Sequence, residues 1–149
     1  MKAITIDADY AWMIHDQEKT VECRTWKTKY RGEVLICSSK APIPGYVSGY
    51  ALCTAKIVDV VPFTEEHLEA AMMEELPDVQ CYAWILDDVQ FIYPIKVRGM
   101  PGLFTVDDAL IKYVQDEHTD AMTDEEFDKF YEEFYRTNVL PLIYLPAQL

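Results

Sequence analysis

The chain has 149 residues, half of them hydrophobic and 13% aromatic, and a formal charge of −13. That length and apolar content predict one globular domain with its own core, with or without an appendage, and argue against a disordered chain. No apolar run is long enough for a helix to cross a bilayer, and the four scattered cysteines and three scattered histidines lack the spacing of a metal site.

Lys2 to Asp7 alternates as a short strand, and Asp9 stands where a cap belongs for a helix through Gln17. A charge interrupts the first apolar stretch and no cleavage-like segment follows, so the pattern predicts a cytoplasmic protein with no membrane contact. Thr20 to Trp26 alternates as a strand with Val21, Cys23 and Thr25 on one face. Glu22, Arg24 and Trp26 share the other. Gly32 turns the chain into a buried strand over 33–38, and the Pro- and Gly-rich stretch 40–49 is a loop.

Tyr50 to Val61 reads as a longer strand closed by Pro62, and Thr64 as the cap of a helix running to about Glu75. Residues 80–86 and 90–97 read as two strands bent apart at Asp87-Asp88, and 107–115 as a helix. Thr123 with Glu126 forms a capping-box pattern for a further helix, which aligns Phe127, Phe130, Tyr131 and Phe134 on one stripe. Burying each of those aromatics is worth about 2 kcal/mol, so the stripe is expected to dock, on its own body or on a second copy to give a homodimer. The last apolar stretch, 139–146, reads as extended.

Charge is spread unevenly. Residues 1–63 carry eight Lys/Arg against seven Asp/Glu, whereas 64–149 carry five against nineteen. A nucleic-acid partner would therefore need a local face in the first half. The face offered is the stretch 17–31, where Lys19, Arg24, Lys27, Lys29 and Arg31 surround Glu22, with Trp26 and Tyr30 between them. Phosphate seeks such cations, and bases stack on such rings. Arg24 can grip a phosphate or carboxylate with its fork, and Lys19 adds a point charge. Glu22 orients them or serves as a base; lying between two cations, it is expected to have a lowered pKa, which favours ion pairing. Ser38 and Ser39 follow a buried strand and offer hydroxyls to a phosphate or base edge. Trp12 and Trp84 read as core, and His15 as a helix-surface residue. A solvated charge run is the competing reading of the whole island.

The succession Trp12, Glu18-Lys19-Thr20-Val21-Glu22-Cys23-Arg24, Trp26, Tyr30-Arg31-Gly32 and Ile36-Cys37-Ser38-Ser39-Lys40 resembles the ASCH domain of the PUA-like superfamily. Lys19, Glu22 and Arg24 match the last three fixed positions of the family signature Gly-x-Lys-x-x-Glu-x-Arg, and Gln17 replaces its glycine. Tyr82-Ala83-Trp84, Pro94 and Gly99 resemble the later strands, so the likeness covers about residues 1–106. It implies an α+β fold: a PUA-like, five- to six-stranded mixed β-barrel with short flanking helices, followed by an acidic helical C-terminal extension over 107–149. It also implies a cleft lined by Lys19, Glu22 and Arg24 that takes RNA, a nucleotide or a nucleoside; the residue chemistry adds Trp26, Tyr30, Arg31, Ser38 and Ser39 as further ligand-binding candidates, and no cofactor or metal is expected.

Whether such a module is an enzyme stays open; if it is, Lys19 and Glu22 are its catalytic candidates. One branch of related bacterial proteins deacetylates N4-acetylcytidine with a Lys, a Thr three residues later and a Glu. Here that Thr position is Glu22, Thr20 belongs to the opposite face, and no clear counterpart of the later Glu exists among Glu69, Glu74 and Glu75. Three readings follow. They are an RNA- or nucleotide-binding module, a small hydrolase or ribonuclease at the same site, and a regulatory module that engages a protein through its acidic half.

Overall fold

The computed structural model describes residues 1–147; the last two residues of the 107–149 segment lie outside it. Six strands form one mixed sheet: β1 (Lys2–Ile6), β2 (Val21–Arg24), β3 (Gly32–Ser38), β4 (Tyr50–Pro62), β5 (Tyr82–Lys96) and β6 (Phe104–Thr105). Their order is β2-β5-β4-β3-β1-β6, with β1 parallel to β3 and all other pairs antiparallel. β2 and β6 are the two edges, so the sheet curls without closing into the barrel expected.

The continuous apolar run of β3 has a direct cause. Val34 and Ile36 enter one core cluster with Ile4, Ile57 and Trp84, while Leu35 and Cys37 enter a second with Ala3, Ala51 and Ile92. A central strand covered on both faces needs apolar residues at every position. Helix α1 (Ala8–His15) contributes Ala11 and Ile14 to the first cluster. It starts after Asp7, so Asp9 lies in its first turn rather than at its cap. His15 is 2% exposed, stacked between Trp12 and Phe91, and is not the surface residue expected.

Three other expectations are corrected. First, β5 is one 15-residue strand, not two. A bulge at the Asp87-Asp88 step absorbs the bend, with Asp88 at φ 50°, a left-handed conformation that Asp tolerates better than most residues. Second, the helix from Thr64 is only a 3-10 turn over Glu65–His67. The carbonyls of Ala70 and Ala71 are drawn to other donors: Thr20 and Val21 N–H take the first, and the Lys19 ammonium the second. Third, 107–115 holds a 3-10 turn at Asp108–Leu110 and then runs extended. Lys112 O accepts from Tyr93 N and Phe91 O from Val114 N, so this segment pairs with the part of β5 that β2 is too short to cover.

Short helix α2 (Glu117–Asp120) precedes α3 (Asp124–Asn138), whose cap Thr123 accepts from Glu126 N. The α3 stripe lies on the chain's own sheet. Phe134 meets Tyr93 edge-on at 5.0 Å and Tyr131 meets Phe91 at 5.3 Å. After a 3-10 turn at Leu140–Leu142, a bridge from Ile143 to Val47 pins the chain end to the 40–49 loop.

Candidate functional site

The site begins in the turn after α1. Glu18 and Lys19 N–H both donate to Met13 O, and Gln17 sits at φ 64°. Glycine would occupy that left-handed position without strain, which explains why the signature begins with one. The turn delivers Lys19 to the start of β2, and β2 then presents Glu22 and Arg24 along a sheet edge, opposite Trp84 and Tyr82 of β5.

Lys19, Glu22 and Arg24 line one cleft of about 390 Å³. Lys19 is only 1% exposed and Glu22 5%. The Lys19 ammonium lies 3.4 Å from Glu22 Oε1, donates to Ala71 O at 2.7 Å and stands 4.5 Å from the Tyr10 ring centre. Arg24 donates to Glu22 Oε2 at 3.4 Å and to Thr5 O at 3.2 Å, so it ties edge strand β2 to β1 across the open side of the sheet. Its Nε is buried without a partner, as is Thr5 Oγ1.

Burial decides the electrostatics. Desolvation pushes Glu22 above the ordinary carboxylate range, against the pull of Lys19 and Arg24. This corrects the lowered value expected from neighbouring charge alone: loss of water outweighs the two cations. Desolvation likewise lowers Lys19, with Glu22 opposing it. Cys23 also lines the cleft, but burial beside Cys81 pushes its thiol up to about 12, so it is no thiolate nucleophile near neutral pH.

A pH experiment checks the Glu22 assignment. A carboxyl raised in the folded state contributes stability that is present below its unfolded pKa and lost as pH rises through the folded value. Glu22→Gln removes that dependence. Its urea-unfolding free energy should therefore improve relative to the parent as pH rises above the ordinary 4.5. Parallel curves between pH 4 and 7 would refute the shift.

Of the other sequence candidates only Ser39 lines this cleft. Trp26 packs edge-on against Trp84 at 4.6 Å, and its carbonyl accepts from Trp84 Nε1. Its ring centre is 5.9 Å from the Arg24 guanidinium, beside the cleft residues rather than among them. The Tyr30 hydroxyl donates to Glu33 O, Arg31 bonds to Thr28 O and Tyr30 O, and Ser38 is buried against the backbone of Tyr50. Thr20 and the acids Glu69, Glu74 and Glu75 are outside the cleft lining, and so is every residue of α3. The local pattern does not reveal Asp7, Tyr10, Met73, Pro77 and Val79, which also line the cleft. Only Tyr10 left a signal, as an aromatic one helical turn before Ile14.

Fold and site together define a small α+β module: a curled mixed sheet with a charged cleft at its open edge. A sequence profile of the ASCH domain matches residues 4–140, and the chain belongs to the ASCH domain family. The match runs well past residue 106, through α3. Among solved structures, ASCH from Zymomonas mobilis has a TM-score of 0.56 at 17% identity, covering 72% of this chain and 88% of that one. A tyrosine-to-phenylalanine mutant of the Z. mobilis protein gives 0.59 at 16%, covering 72% and 90%, and a serine-to-alanine mutant gives 0.56 at 16%, covering 89% and 94%. No curated protein matches the chain. Among the described residues no helix is long and apolar enough to cross a membrane.

Proposed function

We propose that this protein binds RNA by seating one nucleotide in the Lys19–Glu22–Arg24 cleft. The observation that carries the reading is the buried charge row on the cleft floor, Lys19 and Glu22 nearly inaccessible and Arg24 only partly exposed at its mouth. Such a row costs desolvation energy, which a merely structural site would avoid with apolar residues. About 390 Å³ falls in the range of small-ligand sites. Tyr10 offers a ring face to a base, Met73, Pro77 and Val79 an apolar wall, and Asp7 an acceptor for an exocyclic amine. Arg24, which lines the cleft and is partly exposed, is the group to meet the phosphate. Burial lifts the Tyr10 hydroxyl pKa, so the phenol stays protonated and can donate.

Arg24→Lys retains a cation for Glu22 but removes the planar fork. Titration with the four nucleoside 5′-monophosphates should show affinity about 10- to 100-fold weaker in this variant, the value of one or two charged hydrogen bonds. An unchanged melting temperature would assign the loss to recognition. Equal affinity of parent and variant, or no binding of any of the four by the parent, would refute the reading.

Catalysis in the same cleft is the second reading. Its support is the opposed displacement of Lys19 and Glu22, which brings their proton affinities closer together as in acid–base pairs. Release of product from an RNA oligomer, abolished by Glu22→Gln, would establish it.

A further inference from the structure

The cleft does not end at Arg24. A second depression, of about 440 Å³, shares Thr5, Arg24 and Ser39 with it, and is otherwise walled by Lys40 and the 97–102 segment. A third, of about 460 Å³, shares Lys40, Val97 and Arg98 with the second and adds Lys96. Adjoining through these shared wall residues, the three depressions make a row, the trough. Beyond the cleft its charged lining is Arg24, Lys40, Arg98 and Lys96, all cations, in a protein of charge −13. Lys40, Lys96 and Arg98 are exposed, and among the described residues none lies within 4.0 Å of a carboxylate. By contrast Arg31, in the cationic island of the sequence, is bonded to Thr28 and Tyr30 carbonyls with Asp59 nearby, away from the trough.

The walls are held by backbone. Ser39 N–H donates to Ile6 O at 2.7 Å, Gly49 N–H to Ser38 and Ser39 O, and Val97 N–H to Gly49 O at 3.1 Å. Gly99 brings the 97–102 segment against β1 so closely that a Cβ there would stand 2.7 Å from Thr5 Oγ1. The cations thus stand on a preformed rim. A surface of three free cations next to the Glu22-paired Arg24, with no acid in its lining and leading from a nucleotide-sized cleft, matches a chain carrying one negative charge per residue.

We infer that the trough from Arg24 past Lys40 and Arg98 to Lys96 carries the phosphate backbone of single-stranded RNA whose terminal nucleotide occupies the cleft. The inference rests on the nucleotide reading of the cleft and adds the polymer, its path and the residues that hold it. Lys40 and Arg98 each take one phosphate. The seated nucleotide fixes the register, and the cations supply affinity without reading sequence.

The test compares adenosine 5′-monophosphate with a labelled adenylate hexamer on the full chain, for the parent and for Lys40→Ala/Arg98→Ala. The hexamer should bind the variant at least about 10-fold more weakly at 0.1 M salt. Its slope of log affinity against log salt should fall by about 1.4, from two lost contacts at roughly 0.7 each. The monophosphate should bind both proteins equally. Gly99→Ala, which changes no charge but must displace Thr5 or the 97–102 segment, should weaken the hexamer in the same direction. Hexamer affinity unchanged in Lys40→Ala/Arg98→Ala, with the monophosphate still bound, would overturn the trough and leave the cleft reading standing. A hexamer that needs Lys40 and Arg98 but is indifferent to Arg24→Lys, with no monophosphate bound, would overturn both and leave a general polyanion patch. Inorganic polyphosphate competing as well as the hexamer would also overturn the assignment to RNA.

Discussion

Lys19→Ala is expected to lower the unfolding free energy by about 3–5 kcal/mol, a large share of the 5–15 kcal/mol typical of a domain. The side chain is 1% exposed and joins two parts of the fold that are distant in sequence. Its ammonium faces Glu22 at 3.4 Å and donates to Ala71 O, which anchors the 64–81 segment over the cleft. Without it Glu22 keeps Arg24, at 3.4 Å, as its cationic partner beside the Cys23 N–H, and the Ala71 carbonyl loses its side-chain donor. Leaving one member of a buried pair uncompensated costs far more than the pair itself contributes. Urea denaturation followed by tryptophan fluorescence measures the loss. Lys19→Met with Glu22→Gln should recover part of it, because neither replacement carries a charge. A loss below about 1 kcal/mol would mean that the pair behaves as a solvated surface bridge.

Phe134→Ala should cost a similar amount, about 3–5 kcal/mol, and should do so within a single unfolding transition. Phe134 is 4% exposed and belongs to the same core cluster as Trp84 and Ile57. Its ring meets Tyr93 of β5 edge-on, while Tyr135 of the same helix approaches Trp12 of α1 at 6.0 Å. The helix therefore covers a face of the sheet. Calorimetry at two scan rates distinguishes the outcomes. An autonomous appendage over 107–149 would instead give an early transition of its own and leave the sheet's melting temperature unchanged. Nucleotide affinity should survive the substitution at temperatures where the variant is folded, because no α3 residue lines the cleft.

Local chemistry in the sequence was enough to place much of this molecule. The alternation of 20–26, the uninterrupted apolar run of β3, the Thr123 cap and the aromatic stripe of α3 each follow from a period of two or of 3.6 residues, and each element stands where its pattern predicts. Lys19, Glu22 and Arg24 lie within six residues of one another, so their convergence required only a turn and one edge strand. Elements whose backbone partners are remote could not be read in this way. The helix expected after Thr64 gives way because Thr20, Val21 and Lys19 claim the Ala70 and Ala71 carbonyls, and 112–114 is extended because β5 lacks a neighbour beyond β2.

The electrostatics divide along the same line. The sequence by itself determined which charges exist, that the net charge is negative, and that a cationic stretch lies near its start. Tertiary structure alone decided which of those charges lose their water and which meet. It buries Glu22 and Lys19, reversing the direction expected for the carboxyl, and places Lys40 and Arg98 beside Arg24 although 58 positions separate Lys40 from Arg98. Periodicity is a property of neighbours along the chain. Desolvation and charge convergence depend on neighbours in space, which only the packing of β1, β2 and the 97–102 segment around one open edge could supply.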